Sequence, residues 1–244
     1  MNNNDFFNQD KLRQNWQDLQ QDFKSFWKNI TQEAQNLGSE VAKQINQNLN
    51  PPAIWWANMS DEWKKILCQH IEIPYSTTLP TETDIKKIFS LTALDASDAN
   101  LSDVEPLRLL KNLQEINLNN TQIISVEPLK NLPNLLKIYL MNTHISDLKP
   151  LQKLIHLRVL HCSLTQVDNL EPLKNLKNLQ EINISETYVR SLKPLNQLLK
   201  INMLSCRATP LSPREIRNFQ KRHPQASVFC EAEKLNQRKK WSFW

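Results

Sequence analysis

Five prolines recur at intervals of 22 residues, and each one is followed by leucine. One pattern leads into each of these pairs, with apolar residues at fixed offsets: L-x-x-I-x-L-x-x-T-x-I-x-x-V-x-P-L. Six copies follow one another without an insertion, and they begin at Leu91, Leu113, Leu135, Leu157, Leu179 and Ile201. A unit this short cannot bury its own apolar side chains, so the copies must stack on one another. We number repeat positions from the first residue of each copy, which places Thr121 at position 9 and Pro128 at position 16.

The pattern resembles the leucine-rich repeat of the bacterial, internalin-like type, over roughly residues 91 to 211. The resemblance implies an α/β solenoid in which each copy supplies a short parallel strand on the concave face, a turn, and a short 3₁₀ or extended return. Proline fits such a return, because its φ is fixed at about −65° and it has no N–H that needs a partner.

Position 9 departs from the family pattern. The family usually has asparagine there, and its amide bonds backbone groups of adjacent turns. This chain has threonine at that position in five copies and Ala99 in the first. A hydroxyl offers fewer hydrogen bonds than an amide, so we expect a ladder with fewer bonds and no rung in the first copy.

The composition excludes several classes of enzyme. The chain has 244 residues, 13 prolines and one glycine, Gly38. Phosphate loops, dinucleotide fingerprints, nucleophile elbows and kinase glycine loops each need several glycines at fixed offsets. The five histidines are scattered and the four cysteines form no C-x-x-C pair, so we predict no metal and no cofactor.

No catalytic constellation is found either, and we predict that the protein is not an enzyme. His161 and Cys162 are adjacent on a predicted strand, which places their side chains on opposite faces, with Cys162 in the core. All four cysteines are interpreted as buried free thiols: Cys68, Cys162, Cys206 and Cys230.

The flanks of the array predict four further segments. They are an amphipathic Gln/Asn-rich helix over 1–50, a Trp-rich N-terminal cap over 51–90, a C-terminal cap over 212–230 and a basic aromatic tail over 231–244. We expect the first helix to kink or break at Gly38 and to stop at Pro51-Pro52. Further helices are predicted to start near Ser60 and Thr81, and three tryptophans are interpreted as a plug for the open end of the solenoid: Trp55, Trp56 and Trp63.

The C-terminal cap has a recognisable start and stop. Ser212-Pro213-Arg214-Glu215 has the form of a capping box, with an N-cap serine and a glutamate three residues later. Pro224 is predicted to end that helix, and Val228 and Phe229 to add a closing strand.

Exposed strand positions point to a binding surface. Side chains between the buried positions line the concave face, where such solenoids usually bind. Most of them are small and polar, but those of the middle copies are more apolar, which is typical of a protein-binding hot spot with a polar rim. The predicted partner-binding residues are Tyr139, Met141, Val159, His161, Leu164, Asn117, Asn183 and Arg207. The alternative is neutral variation on a solvated sheet.

We therefore predict a non-catalytic protein-binding module and keep two alternatives. One is a structural or adaptor subunit that joins a larger assembly, or a second copy, through its first helix and aromatic termini. The other is nucleic-acid association through the tail, because residues from Ser212 onward carry eight basic and three acidic side chains, 8 − 3 = 5, which equals the whole net charge of +5. The residues of this secondary docking surface are Trp16, Phe23, Phe26, Trp27, Lys239, Lys240, Trp241 and Trp244.

Protein partners are weighted above nucleic acid and membranes. The first helix has no cationic face of the kind that membrane-surface helices use. The N-terminus lacks the features of a signal peptide and no apolar run reaches membrane-spanning length, so we predict a cytoplasmic protein and leave export without a signal open.

Overall fold

A computed structural model describes residues 51–76 and 80–230 of the chain. These residues divide into two compact units between Ile88 and Phe89. The predicted helix over 1–50, with its break at Gly38, and the tail over 231–244 lie outside the described residues. Within the described part, no helix combines the length and apolar character needed to cross a membrane.

Three helices precede the array: α1 (Pro51–Ala57), α2 (Asp61–His70) and α3 (Glu82–Phe89). The predicted helix starts are confirmed. The Ser60 side chain accepts a hydrogen bond from the backbone N–H of Trp63 at 3.3 Å, and Thr81 Oγ1 accepts from the N–H of Asp84 at 3.2 Å. The helix at Pro51 was not predicted, since Pro51-Pro52 was interpreted only as a stop. Proline is tolerated in a first helical turn, where its missing N–H has no intrahelical partner to lose.

The tryptophans among the described residues of the first unit are buried. Trp55, Trp56 and Trp63 are 7%, 2% and 1% exposed. That they cover the open end of the array stays a prediction.

The repeats form a parallel sheet, and the described residues contribute seven strands to it in chain order. The strands are β1 (Ala93–Asp95), β2 (Glu115–Asn117), β3 (Lys137–Tyr139), β4 (Val159–His161), β5 (Glu181–Asn183), β6 (Met203–Ser205) and β7 (Ser227–Phe229). Registers advance by one repeat from strand to strand, as in Ile116↔Ile138, so each repeat position forms a column across the sheet. The predicted solenoid is confirmed.

The returns are 3₁₀ turns with proline as their second residue, as the resemblance implies. Five of them are described: Glu105–Leu109, Glu127–Asn131, Lys149–Leu151, Glu171–Leu173 and Lys193–Leu195. In the first five copies, a side chain at position 13 accepts from the N–H of position 15, for example Asp147 Oδ1 from Lys149 N at 2.8 Å. Such Asx and Ser/Thr turns orient the chain into the return without glycine.

The core of the array is a stack of seven apolar positions per copy: positions 1, 4, 6, 11, 14, 17 and 20. In copies two to five, these side chains are at most 1% exposed. Leu140 and Cys162 are examples at position 6, and both are 0% exposed. Since each copy covers its neighbour, stability accumulates by nearest-neighbour contact.

The expected threonine ladder at position 9 was wrong. Each threonine hydroxyl donates to the carbonyl three residues earlier in its own copy, as in Thr121 Oγ1 to Leu118 O at 2.7 Å and Thr165 Oγ1 to Cys162 O at 2.6 Å. A short hydroxyl reaches the carbonyl of its own turn, whereas a longer amide can span to the next one. The hydroxyls therefore fix the corner within a copy.

Amides at two other positions join the copies. At position 22, the side chain donates to a carbonyl 23 residues earlier, at 2.8 Å in Asn112→Phe89, Asn134→Lys111 and Asn178→Ile155. At position 8, Asn120 donates to Asp98 at 2.8 Å and Asn142 to Asn120 at 3.0 Å.

Position 8 is the corner after each strand, and its backbone is left-handed in all six copies. The residues with φ between 52° and 59° there are Asp98, Asn120, Asn142, Leu164, Glu186 and Ala208. Glycine normally takes such a conformation, and asparagine or aspartate tolerates it better than other residues. The first three copies thus use suitable residues and the last three do not.

The C-terminal cap begins as predicted with α4 (Pro213–Arg222), and Ser212 Oγ accepts from Glu215 N at 3.2 Å. The reciprocal half of the predicted capping box differs. The Glu215 carboxylate accepts from the N–H of Leu192 at 3.1 Å and from the Ser191 hydroxyl at 3.5 Å, so it ties α4 to the fifth return. The predicted closing strand is β7, which pairs with β6.

The interpretation of all four cysteines as free thiols was wrong. Cys206 and Cys230 form a disulfide with Cα atoms 4.7 Å apart, whereas Cys68 and Cys162 are free and buried. The closing strand explains the pairing, because Cys206 directly follows β6 and Cys230 directly follows β7.

Candidate protein-binding face

The concave face is defined here by repeat positions 3, 5 and 7, whose side chains alternate with the buried positions 4 and 6. Each three-residue strand from β2 to β6 shows that alternation, with a buried middle residue between two partly exposed ones. Columns of equivalent side chains therefore run across the sheet. Their spacing is that of parallel strands, about 4.8 Å.

Two aromatic rings meet at the centre of this face. Tyr139 and His161 are register partners on β3 and β4, and their rings meet edge to face with centroids 5.2 Å apart at 82°. His161 Nε2 lies 2.7 Å from Glu181 Oε1, and these two side chains are 26% and 28% exposed. The pair is thus held from the β5 side while a part of each side chain remains accessible.

Tyr139 stays a neutral phenol. Burial raises its pKa above the ordinary value, and the carboxylates of Glu115 and Glu181 raise it further, while Lys137 opposes them. The ring therefore combines apolar surface with a hydroxyl that can donate or accept, the combination that favours tyrosine at protein interfaces.

Charged side chains at position 3 border the rings, and sequence analysis missed them. Lys137 Nζ lies 2.9 Å from Glu115 Oε2, and this hydrogen bond is the main reason that the pKa of Lys137 is raised. The prediction concentrated on positions 5 and 7 and took only Val159 from position 3. The signal was present, because residues two apart on a strand share a face.

The remaining central residues add apolar surface. Met141 and Val159 are half-buried, and Leu164 is 43% exposed. The Met141 N–H donates to Asn119 Oδ1 at 2.7 Å, so the backbone beneath this side chain is fixed. Val159 is the register partner of both Lys137 and Glu181 and lies in the column between them.

The three polar residues of the predicted site, Asn117, Asn183 and Arg207, do not belong to the central apolar cluster. Asn117 and Asn183 each accept the N–H two residues later, at 3.1 Å and 3.0 Å, so their carbonyl oxygens serve the local turn. Arg207 is exposed at position 7 of the last copy, three strands from Met141, a separation of about 14 Å. It lies at the edge of the face and away from its centre.

The described residues offer little for catalysis. Burial raises the pKa of the Cys162 thiol to about 12, so it is a protonated core group and a poor nucleophile. No group of three or more His, Cys, Asp or Glu side chains in this part of the chain could hold a metal ion. The predicted secondary docking residues, Trp16, Phe23, Phe26, Trp27, Lys239, Lys240, Trp241 and Trp244, lie outside the described residues.

Comparison with known proteins agrees with the fold. The family model described as Leucine Rich repeats (2 copies) matches residues 111–153. An internalin (inlF) from Listeria monocytogenes is 20% identical with a TM-score of 0.54, covering 69% of this chain and 54% of that one. Internalin C2 (inlC2) from the same species is 26% identical with a TM-score of 0.55, covering 68% of this chain and 80% of that one.

A leucine-rich-repeat protein from Leptospira interrogans is 23% identical with a TM-score of 0.54, covering 62% of this chain and 40% of that one. This chain thus spans about half the length of the inlF structure and less than half of the Leptospira one. A search by sequence among curated proteins gave no match.

The array has the fold of a leucine-rich-repeat solenoid, and it is similar in structure to internalins. Solenoids of this kind commonly serve as protein-interaction modules and are generally not enzymes.

Proposed function

We propose that this protein is a non-catalytic module that holds a partner protein on the centre of its concave face. The observation that carries the proposal is the Tyr139–His161 ring pair, partly exposed and held at 5.2 Å by register and by Glu181. Rigid aromatic anchors surrounded by charged residues are the arrangement that concentrates binding energy at protein interfaces.

The fourth copy departs from its neighbours in a way that supports this role. It has Val159 and His161 where most other copies have charged or small polar residues, and Leu164 at the left-handed corner. A leucine with φ of 56° costs roughly 1–2 kcal/mol, and its side chain cannot continue the amide ladder from Asn142. Glu186 and Ala208 have the same backbone in the fifth and sixth copies, so it is the apolar side chains that distinguish the fourth copy.

Site-specific photo-crosslinking in the full chain tests where the partner lies. A photoreactive phenylalanine analogue replaces Tyr139 in one variant and Tyr188 in another, and both are exposed to extract of the native cells. Tyr188 is a 58% exposed tyrosine at position 10 of the fifth copy, outside the concave face, so it is a matched control. We expect one discrete protein adduct from position 139 and none from position 188.

Alanine variants then measure the contribution of the anchors to binding of that adduct partner. Tyr139→Ala and His161→Ala are each expected to weaken binding at least tenfold, which corresponds to about 1.4 kcal/mol, whereas Tyr188→Ala should not change it. Melting temperatures verify that each variant is folded. Adducts of equal yield at both positions, or unchanged affinity of the folded Ala variants, would reject the concave face as the site.

A further inference from the structure

The outward side of α4 is entirely basic or neutral. Arg214, Arg217, Lys221 and Arg222, which we call the basic face, are all exposed. Helical spacing places Arg214, Arg217 and Lys221 on the side away from Phe219, which is 0% exposed against the array. Arg222 follows Phe219 by three residues and lies toward the Phe219 side, at the end of the helix. From Arg214 to Lys221 the face extends about 10 Å along the axis.

These cations have no acidic partners among the described residues, unlike those of the returns. Arg108, Lys130 and Lys174 each pair with the glutamate three residues earlier. The acidic residue of α4 is Glu215, and its carboxylate bonds Leu192 and Ser191 of the fifth return. The fifth return also has exposed Lys193 where the second and fourth have glutamate, so positive charge continues onto it.

The positions of these positive charges destabilise α4. Arg214 and Arg217 lie in its N-terminal half, where the helix dipole disfavours positive charge. Arg217 is also three residues from Arg214 and four from Lys221, spacings at which like charges repel. Only Lys221 and Arg222, in the last turn, have a favourable position. A role in capping the array does not require the first two cations.

We propose that the basic face binds the phosphate backbone of a nucleic acid, as a second site separate from the concave face. Nucleic-acid interfaces are much more positive and more polar than protein interfaces, and this face has no exposed apolar residue to form the core of a protein contact. A membrane-surface helix inserts its apolar side, but Phe219 on that side of α4 is already buried. Three of the four cations are arginines, whose planar forks bind phosphate in bidentate geometry.

Fluorescence anisotropy with a labelled mixed-sequence DNA duplex tests the proposal on the full chain over a range of salt concentrations. The test variant is Arg214→Gln/Arg217→Gln/Lys221→Gln. The control removes the same charge from exposed lysines of the array: Lys149→Gln/Lys153→Gln/Lys177→Gln. Loss of three phosphate contacts should reduce the slope of log K against log salt by about 2.7, and the control should leave most of that slope.

A third variant, Arg238→Gln/Lys239→Gln/Lys240→Gln, separates the tail from α4. The proposal is upheld if the α4 variant binds the duplex more weakly and with a smaller salt slope, while the tail variant keeps the share of affinity and slope that the α4 variant loses. It is overturned if wild type fails to bind duplex at low salt, if the control loses as much as the α4 variant, or if the tail variant alone abolishes binding. Tighter binding to polyglutamate or to phosphatidylserine vesicles than to the duplex would also overturn it. Melting temperatures of the α4 variant should equal or exceed that of wild type, since the substitutions remove repulsion.

Discussion

At the scale of single residues, position 8 shows how a repeat chain can turn without glycine. Asp98, Asn120 and Asn142 could have signalled a left-handed corner from sequence, because such residues tolerate positive φ. Leu164 gives no such signal, because leucine disfavours positive φ, and the same corner can be inferred there only from its equivalent position in the repeat. Sequence therefore located Leu164 on the surface but gave no sign of its strained backbone.

Leu164→Asn is expected to raise the free energy of unfolding by about 1 kcal/mol, because asparagine accepts the left-handed region at lower cost than leucine. Urea unfolding of the full chain measures the change. Ile155→Asn is the control, since Ile155 is a 55% exposed apolar residue and is not among those with positive φ. An equal gain in both variants would mean that loss of surface hydrophobicity, rather than relief of strain, is responsible. If Leu164 also contacts the partner, binding should weaken as stability rises.

At the scale of elements, the contact that joins α4 to the fifth return depends on one carboxylate. The Leu192 N–H that Glu215 accepts from belongs to a residue that is 1% exposed. Glu215→Ala should cost about 1–3 kcal/mol, since it leaves that N–H unpaired. Hydrogen exchange of Leu192 and α4 reports the loss locally.

Glu171→Ala is the control for that substitution. Glu171 pairs with Lys174 across side chains that are 56% and 58% exposed, and such surface pairs are worth at most about 1 kcal/mol. If both variants lose the same stability and α4 keeps its protection, Glu215 is not the tie between cap and array.

Sequence predicted elements well where a periodic pattern repeats, and less well where a contact spans copies. The strands and the proline returns followed from the family that the repeat resembles, and the start of α4 followed from its capping residues. Sequence placed Tyr139 and His161 in one column of the concave face, but it did not predict that their rings meet edge to face. The carboxylate of Glu215 was assigned to its own helix, since local reasoning does not show that the return offers a closer N–H. The asparagines at position 22 were overlooked, because their carbonyl partners lie 23 residues earlier.

At the scale of the whole molecule, the disulfide between Cys206 and Cys230 joins the closing strand to the last repeat. Whether this bond forms depends on the redox conditions of the compartment that holds the protein. The two cysteines are 24 residues apart, so the bond could not be recognised until β7 was placed beside β6. Disulfides persist in oxidising compartments and are rare in the cytosol. The predicted cytoplasmic localisation is therefore open to a direct chemical test.

Thiol titration of denatured protein, purified from native cells without added oxidant or reductant, provides that test. Two free thiols before reduction and four after it are expected if the bond forms in the cell. Four before reduction would support a cytosolic location.

Cys230→Ser should lower the stability of the oxidised protein by about 3 kcal/mol, on the chain-entropy estimate for a loop of this length. It should leave the reduced protein nearly unchanged, and a similar loss in both would exclude the bond as the cause.

The left-handed corners also affect the chain before it folds. Glycine would fit each corner without strain, but it gives the unfolded chain more conformations, a penalty of about 0.4–1 kcal/mol per site relative to alanine. Six corners built from residues with side chains start from a narrower unfolded ensemble. The chain therefore loses less conformational entropy when it folds, and this smaller loss offsets part of the strain in the folded array. The scarcity of glycine, which excludes phosphate loops, thus also stabilises this fold by restricting the conformations of its denatured state.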